Sequence, residues 1–261
     1  MIRPIFISST FEDMHWERDI LHTKVIPEVN ALAREYGEAV EICDLRWGIN
    51  TSELSEQDAT EKILGVCLDE IDRCPYMVVL LGNRYGWMPG EQRIRETADS
   101  RDLFRLDDPA ISVTELEIAY GALRNPNQIG RVLFYFREID GPCDAVCPPE
   151  DPVHRQKLDA LKAHIRSTPS AHVRTYRVKS VDGQLSGMDD LAAMITSDMI
   201  GLFRQDWEAS TKLDHYALDQ KKHLAFLEEK NSQYISRDEL LANCIQVLEE
   251  QKKLLIHGAA G

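Results

Sequence analysis

A continuous apolar segment from 76 to 81 constrains the fold of this chain more than any other feature. It reads Tyr-Met-Val-Val-Leu-Leu and lacks the alternation of apolar and polar residues that marks a half-exposed strand. A strand of this kind is buried on both faces, which is typical of the centre of a parallel sheet with helices on each side. We therefore expect residues 76–81 to be a central strand of an α/β domain.

Strand and helix patterns alternate on both sides of this segment. Short apolar runs predict further strands, and apolar residues at a helical period predict helices between them. The polar stretch 90–109 is predicted to be a long loop. The five strands together indicate a parallel, doubly wound sheet. The other predicted strands are 2–8, 40–44, 131–136 and 172–178.

The composition changes near residue 210, where we place a domain boundary. Residues 211–250 are charged, free of glycine and helical in pattern, so we predict a helical linker after a domain at 1–210. Residues 251–261 are expected to begin a truncated P-loop NTPase domain. Gly258 and Gly261 would be the first and fourth positions of its loop, Gly-x-x-x-x-Gly-Lys-Ser/Thr. An ordinary glycine turn after a strand is the alternative.

The predicted P-loop at the end of the sequence is incomplete. The phosphate-binding lysine of the P-loop would lie beyond residue 261. ATP and Mg²⁺ are therefore expected to bind only in the missing part of the NTPase domain. We expect no ATPase activity from these residues alone.

The acidic balance of the chain excludes some classes of function. It has 30 basic and 44 acidic residues, a net charge of −14, whereas a surface that coats nucleic acid needs positive charge. No run of eighteen apolar residues is present to span a membrane, and the strand pattern at the start leaves no room for a signal peptide. We expect a cytoplasmic protein with no direct nucleic-acid or membrane partner.

The six cysteines are scattered along the chain, several of them in apolar runs, which is typical of reduced thiols in a core. Cys143 and Cys147 lie close together in a proline-rich loop. No second Cys/His pair is nearby in the sequence, whereas structural zinc takes four ligands. No metal site is predicted.

Polar and aromatic side chains follow three of the predicted strands at the point where each strand ends. In an open parallel sheet, ligands bind at the carboxyl edge, so these side chains are candidates for one site. Arginines suit phosphate groups, and Trp or Tyr rings suit the stacking of flat bases. The candidate ligand-binding residues are Ser8, Ser9, Phe11, Asp44, Arg46, Trp47, Arg84, Tyr85 and Trp87.

Each candidate also has an explanation without a ligand. Ser8 and Ser9 could cap the first helix, and Arg46 and Arg84 could pair with acidic neighbours in this acidic chain. The two tryptophans could pack on the sheet edge. Asp44 is the hardest to explain in this way, because a carboxylate at a strand end points towards the ligand crevice.

A predicted helix that starts near Ser112 carries two glutamates. Ser112 or Thr114 caps its start, and Glu117 lies one turn in, within reach of the carboxyl edge. Glu115 is two residues earlier, so it points about 200° away and cannot serve the same site. A partly desolvated Glu117 suits stabilisation of a positively charged ribosyl centre, or attack on it. Complementing the helix dipole is the alternative, mainly for Glu115.

Three strings of residues stand out at the predicted strand ends. They are Phe-Ile-Ser-Ser-Thr-Phe-Glu-Asp-Met from residue 6 with Glu17-Arg18, Asp-Leu-Arg-Trp-Gly-Ile from residue 44, and Leu-Leu-Gly-Asn-Arg-Tyr-Gly-Trp from residue 80. Together they resemble the TIR-like N-terminal domain of NACHT/STAND-type P-loop NTPases, strongly over 3–138 and more loosely to about 210. In that family the domain precedes a P-loop ATPase and then WD or tetratricopeptide repeats.

The resemblance implies a flavodoxin-like fold and, in enzymatic members, hydrolysis of NAD as a substrate at the nicotinamide–ribose bond. In those members a glutamate lies five residues after a serine, a spacing that Ser112 and Glu117 keep. This makes Glu117 the expected catalytic residue and Ser112 an expected substrate contact. The enzymatic pattern usually has Trp four residues before the glutamate, where this chain has Val113.

The role implied by the resemblance is that of an effector or signalling domain in innate immunity or antiviral defence, active when oligomerised. Its expected partners are further copies of itself in the full-length protein and the C-terminal NTPase and repeat domains. A non-enzymatic interaction or oligomerisation module is the alternative. A nucleotide-ligand sensor that regulates the attached ATPase is a third.

Overall fold

The computed structural model describes residues 2–45, 55–101, 106, 108–123, 129–141, 147, 150–181, 184–208, 219–220, 222–227 and 238–251. The chain forms two compact units, Met1–Asp214 and His215–Gly261. The first unit contains a sheet and the helices packed on it. In the second unit, residues 222–227 and Asp238–Gln251 are helical.

A six-stranded sheet forms the centre of the first unit. Its strands are β1 (Ile2–Ser9), β2 (Ala39–Cys43), β3 (Tyr76–Leu81), β4 (Val132–Asp140), β5 (His172–Val181) and β6 (Gln184–Ser186). They lie in the order β2-β1-β3-β4-β5-β6; the first five run parallel, and β6 is antiparallel to β5. A parallel order of 2-1-3-4-5 is one of the two common orders of a doubly wound sheet.

The predicted α/β class is confirmed, but the predicted number of five strands is wrong. The sixth strand, β6, pairs with the end of β5 from Lys179↔Ser186 onwards. It has only three residues, which is too few to show the two-residue period of a strand in the sequence. The sheet is therefore mostly, not entirely, parallel.

Helices lie between the parallel strands, and one more helix follows the last strand, β6. They are α1 (His15–Ile20), α2 (Ile26–Ala33), α3 (Glu56–Arg73), α4 (Glu91–Asp99), α5 (Val113–Ile118), α6 (Pro152–Ser167) and α7 (Met188–Glu208). A wider π-helical turn at Leu21–Val25 joins α1 to α2, and another at Ala119–Leu123 extends α5. Among the described helices, none is long and apolar enough to cross a membrane.

The prediction of a long loop over 90–109 is wrong in its first half, because α4 lies there. Ile94 and Ala98 of α4 are buried in the hydrophobic core. Most of the other residues of this short helix are charged or polar. Two buried apolar residues in one short segment give too weak a period to be recognised in the sequence.

Alternate residues of the central strands enter two separate cores, one on each face of the sheet. In β3, Val78 and Leu80 pack with residues of α2 and α7, whereas Met77 and Val79 pack with residues of α3, α5 and α6. All six residues of β3 are buried, as predicted for a central strand. Helices on both faces thus complete a three-layered α/β domain.

The carboxyl ends of β1 and β3 lie side by side, because Ser9 in β1 is in register with Leu80 in β3. The start of α5 reaches the same edge. There the backbone N–H of Val113 donates a 3.0 Å hydrogen bond to the carbonyl of Trp87, which follows β3. Three segments that are distant in sequence therefore meet at one edge of the sheet.

Candidate functional site

A cavity of about 1110 Å³ opens at the carboxyl edge of β1 and β3. Its wall comes from the segments after these two strands, from α3 and α5, and from the start of α6. Sites for small molecules commonly have volumes of about 300–1,000 Å³, so this cavity can hold a ligand as large as a nucleotide. Its lining includes Ser9, Phe11, Cys67, Arg84, Trp87 and Glu117.

Glu117 is a carboxylate in the cavity wall that is only 7% exposed. The Ser8 hydroxyl donates a 2.6 Å hydrogen bond to Glu117 Oε2, and the Cys67 thiol is a second polar neighbour of this carboxylate. Burial raises the pKa of Glu117 to about 7, against the smaller lowering effects of Ser8, Cys67 and the charge of Arg18. The group can therefore gain or lose a proton near neutral pH.

Ser112 and Tyr85 fix the start of α5. Ser112 Oγ accepts a 3.2 Å hydrogen bond from the backbone N–H of Glu115, so Ser112 is the N-cap. The backbone N–H of Ser112 donates to Tyr85 Oη at 3.2 Å, and the Tyr85 hydroxyl donates to the Glu115 carboxylate. Burial raises the pKa of Glu115 as well. Glu115 braces Tyr85 and does not line the cavity, whereas Glu117 does.

Asp44 directly follows β2, and its buried carboxylate pairs with Arg18 and, at 3.0 Å, with His22 Nε2. Arg18 Nε also donates a 2.7 Å hydrogen bond to Ser9 Oγ. These contacts tie the end of β2 to the end of β1, and Asp44 is not part of the cavity lining. The alternative that Ser8 and Ser9 cap the first helix does not hold, because α1 has no side-chain cap.

Arg84 lines the cavity but already has acidic partners. It pairs with Glu12 and, at 3.4 Å, with Glu150. Trp87 and Phe11 are 51% and 55% exposed. The Arg18 guanidinium lies over one face of the Phe11 ring, 4.8 Å from its centroid. Among the residues that the structure describes, the lining holds four carboxylates and one guanidinium. This charge distribution favours a cationic or neutral part of a ligand over an anionic one.

A second group of buried charges supports the same loops. Arg137 in β4 is fully buried and pairs with Asp13 at 2.8 Å and with Glu17 at 3.0 Å. Asp13 also accepts a hydrogen bond from the Thr10 hydroxyl and, at 3.1 Å, from the backbone N–H of Asn83. Asp13 thereby links the segment after β1 to the segment after β3.

Sequence reasoning missed the roles of Arg18, Cys67 and Arg137. A charged residue in the apolar strand Val-Leu-Phe-Tyr-Phe-Arg was an available signal for Arg137, because a guanidinium in such a position needs buried partners. Arg18 belongs to the first of the three strings quoted above, but nothing in the sequence indicated that it pairs with Asp44. Nothing in the sequence links Cys67 to Glu117.

The predicted site residues fall into three groups. Those that line the cavity are Ser9, Phe11, Arg84, Trp87 and Glu117. Those that contact or position the lining from outside it are Ser8, Asp44, Tyr85 and Ser112. Those that lie outside the described residues are Arg46, Trp47, Cys143, Gly258 and Gly261.

The sheet and the cavity at its carboxyl edge define the class of this protein, a doubly wound α/β domain with an acidic, partly aromatic cavity. The chain belongs to the family described as "Domain of unknown function (DUF4062)", whose model matches residues 4–181. The matched segment begins at the third residue of β1, includes β2 to β5 and contains every residue in the cavity lining.

Several curated proteins are similar to the chain. Telomerase protein component 1 of Mus musculus is 27% identical over 262 residues, which covers 93% of this chain and 9% of that protein. A TPR repeat-containing protein of Dictyostelium discoideum is 33% identical over 184 residues, 63% of this chain and 11% of that protein. NACHT domain- and WD repeat-containing protein 1 of Mus musculus is 34% identical over 135 residues, 43% of this chain and 8% of that protein. The chain therefore spans about a tenth of the length of these relatives.

Proposed function

We propose that this domain is the N-terminal effector or signalling part of a NACHT-type NTPase that acts in innate immunity or antiviral defence. Relatives whose names carry NACHT domains, WD repeats or TPR repeats support the proposal, as does the small share of those proteins that the chain matches. The parallel strand order agrees with a flavodoxin-like, TIR-like fold. In this proposal residues 1–210 act, 211–250 connect them to an NTPase domain that begins at 251–261, and the assembly is cytoplasmic.

We propose further that the assembled domain hydrolyses NAD at the nicotinamide–ribose bond. The observation that carries this proposal is Glu117, a buried carboxylate with a pKa of about 7 in the wall of a ligand-sized cavity. Perturbed carboxylates in cavities are typical of sites that perform chemistry. The 2.6 Å hydrogen bond from Ser8 helps to orient the Glu117 carboxylate, and a preorganised group of this kind is what transition-state stabilisation uses.

The reaction makes a specific demand on this carboxylate. The bond between ribose C1′ and the nicotinamide nitrogen breaks, and neutral nicotinamide leaves with the bonding electron pair. Water adds to the oxocarbenium-like C1′ and loses a proton, which gives ADP-ribose. Ionised Glu117 stabilises the positive centre or accepts that proton.

Other residues of the cavity orient the substrate. The exposed Trp87 and the face of Phe11 that Arg18 does not cover provide stacking surfaces for adenine or nicotinamide. The acidic lining favours the cationic nicotinamide end, and Arg84 would exchange Glu12 for a phosphate oxygen. Ser8 holds the Glu117 carboxylate in place through its 2.6 Å hydrogen bond.

The test measures free nicotinamide by chromatography after the chain, fused to an oligomerising coiled coil, is incubated with NAD. We expect release by the parent and a loss of about 100-fold or more in Glu117→Gln, which keeps the shape but removes the charge. Glu115→Gln is the matched control, because it lies on the same helix but outside the cavity, and should keep its activity. Equal activity of Glu117→Gln and the parent would overturn the catalytic assignment.

A binding module without chemistry is the second candidate. The exposure of Phe11 and Trp87 favours it, because exposed aromatic residues are common at the centres of interfaces. In that case the oligomerised parent releases no nicotinamide. Trp87→Ala then weakens association between copies of the full-length protein, which analytical ultracentrifugation measures.

A further inference from the structure

Two cysteines and a glutamate meet at a place that is separate from the cavity. Cys43 ends β2, Glu70 lies in the last turn of α3, and Cys74 follows that helix. Their sulfur and carboxylate oxygen atoms all lie within 4.8 Å of one another. Cys43 Sγ donates a hydrogen bond of 3.1 Å to Glu70 Oε2. None of the three residues belongs to the cavity lining.

We propose that Cys43, Glu70 and Cys74 bind a thiolate-preferring divalent cation, with Zn²⁺ as the best fit. In a tetrahedral zinc site, bond lengths of about 2.3 Å to sulfur and 2.0–2.2 Å to oxygen place the donor atoms about 3.3–3.8 Å apart. Cys43 Sγ and Glu70 Oε2 are 3.1 Å apart, and all three donor atoms lie within 4.8 Å of one another, so modest side-chain shifts bring them to that separation. Two thiolates with one carboxylate are a ligand set that zinc accepts, whereas Mg²⁺ and Ca²⁺ prefer oxygen ligands alone.

The charges of the three ligands and of Arg73 balance when a divalent cation is bound, while Glu41 and Asp69 add negative charge nearby that favours a cation. Two thiolates and one carboxylate carry three negative charges. A bound divalent cation therefore leaves a net charge of −1 on the site. The guanidinium of Arg73, which contacts Glu70 Oε2 through Nε at 2.7 Å and Nη2 at 2.6 Å, supplies the remaining positive charge. It also orients the carboxylate from outside, as partners of metal ligands commonly do.

The three proposed ligands differ in their exposure to solvent, which determines where a fourth ligand could bind. Cys74 is 2% exposed, whereas Cys43 is partly buried and the Glu70 side chain is 27% exposed. The cluster thus has a dry side formed by Cys74 and a side open to solvent at Glu70. Three protein ligands with one position open to water match the ligand count of zinc sites that exchange or activate their fourth ligand.

The fold and not the local sequence creates this site. Cys43 and Cys74 are separated by the whole of α3, so they show none of the short Cys-x-x-Cys spacings by which zinc sites are recognised. Cys43, the last residue of β2, lies level with the start of β3 because Cys43 and Met77 are both in register with Phe6 of β1. Cys74 lies just before β3, so the two cysteines lie near the same level of the sheet.

The experiment titrates Co²⁺, a spectroscopic substitute for Zn²⁺, into the reduced, metal-free 261-residue chain. We expect thiolate-to-cobalt charge-transfer bands and the visible bands of tetrahedral cobalt at one equivalent, and their loss when Zn²⁺ is added. Cys43→Ser and Cys74→Ser should each weaken Co²⁺ binding by about 100-fold or more, and Glu70→Gln by about 10-fold. Cys244→Ser is the control, because Cys244 is a free, partly buried thiol of the helix Asp238–Gln251 and not one of the three donors, and it should bind as the parent does.

Three results would overturn the proposal. One is the absence of thiolate bands in the reduced parent. Another is unchanged Co²⁺ binding in Cys43→Ser. Because Cys43 is partly exposed, we expect this variant to fold, so its result is informative even if Cys74→Ser does not fold. The third is a Cys43–Cys74 disulfide, found by mass spectrometry, in a protein that takes up no metal after reduction.

Discussion

Ser8 at the end of β1 donates a 2.6 Å hydrogen bond to Glu117 in α5, although 109 residues separate them. The hydroxyl holds a carboxylate that burial would otherwise leave without a partner on that side. This contact joins the first strand of the sheet to the helix that follows β3 and α4, and it holds a buried carboxylate that lines the cavity.

The titration of Glu117 should make the stability of the domain depend on pH. Burial raises the pKa of Glu117 from 4.5 to about 7, so between these values the unfolded chain loses this proton while the folded chain keeps it. The contribution of Glu117 to stability is present at low pH and is lost as pH rises towards 7. We expect Glu117→Gln to exceed the parent in free energy of unfolding at pH 8 by on the order of 2 kcal/mol, and to match it near pH 4.

Urea denaturation of both proteins at these two pH values checks this expectation. Glu91→Gln, an exposed glutamate of α4, serves as the control and should change stability by less than about 0.5 kcal/mol at either pH. A parent and a Glu117→Gln variant of equal stability at pH 8 would show that Glu117 has an ordinary pKa.

The proposed hydrolysis of NAD should follow the same ionisation. If the ionised carboxylate is required, log kcat/KM rises with pH and levels off above about 7, because this parameter reports the free enzyme. The profile is measured with the oligomerised chain between pH 5 and 9. A rate that is flat from pH 5 to 8 would contradict a role for ionised Glu117.

Removal of Arg137 should be much more costly than removal of a neighbouring surface arginine. Arg137→Leu leaves Asp13 and Glu17 buried without their common counter-charge, and we expect a loss of about 3–5 kcal/mol in free energy of unfolding. Arg177 in β5 pairs at 3.0 Å with Glu138 on the exposed surface, and Arg177→Leu should cost less than about 1 kcal/mol. Chemical denaturation compares the two, and similar losses would argue against the buried charge cluster.

Gly82 should not tolerate even a methyl group. A Cβ at this position would lie 2.6 Å from Met14 Sδ and 2.8 Å from Arg137 Nη2, and it would also meet the Asp13 carboxylate. We expect Gly82→Ala to destabilise the domain by about 1–3 kcal/mol. Gly201 in α7 has no atom within 4 Å of its ideal Cβ, so Gly201→Ala should stabilise by about 0.5–1 kcal/mol. Thermal unfolding of both variants tests these two predictions. Changes of stability in the same direction for both variants would contradict them.

Local pattern was enough for the elements whose own residues carry the signal. The apolar run of β3, the helical period of α3 and the cap at Ser112 are properties of consecutive residues, and the structure has each of them. The helix period also separates Glu117 from Glu115, which the structure places in different surroundings. Weak or very short signals failed, as in α4 and β6.

What the sequence by itself determined is therefore the α/β class, the central strand and the side chains at the strand ends. Only the tertiary structure decided which of those side chains face the cavity and which are engaged in ion pairs or hydrogen bonds within the protein. Asp44 was predicted to bind a ligand, but Arg18 and His22 occupy its carboxylate. Cys43 and Cys74 were unrelated in sequence, but they lie together. The physical reason is that burial, ion pairing and pKa depend on neighbours distant along the chain, and these are fixed by packing and not by local periodicity.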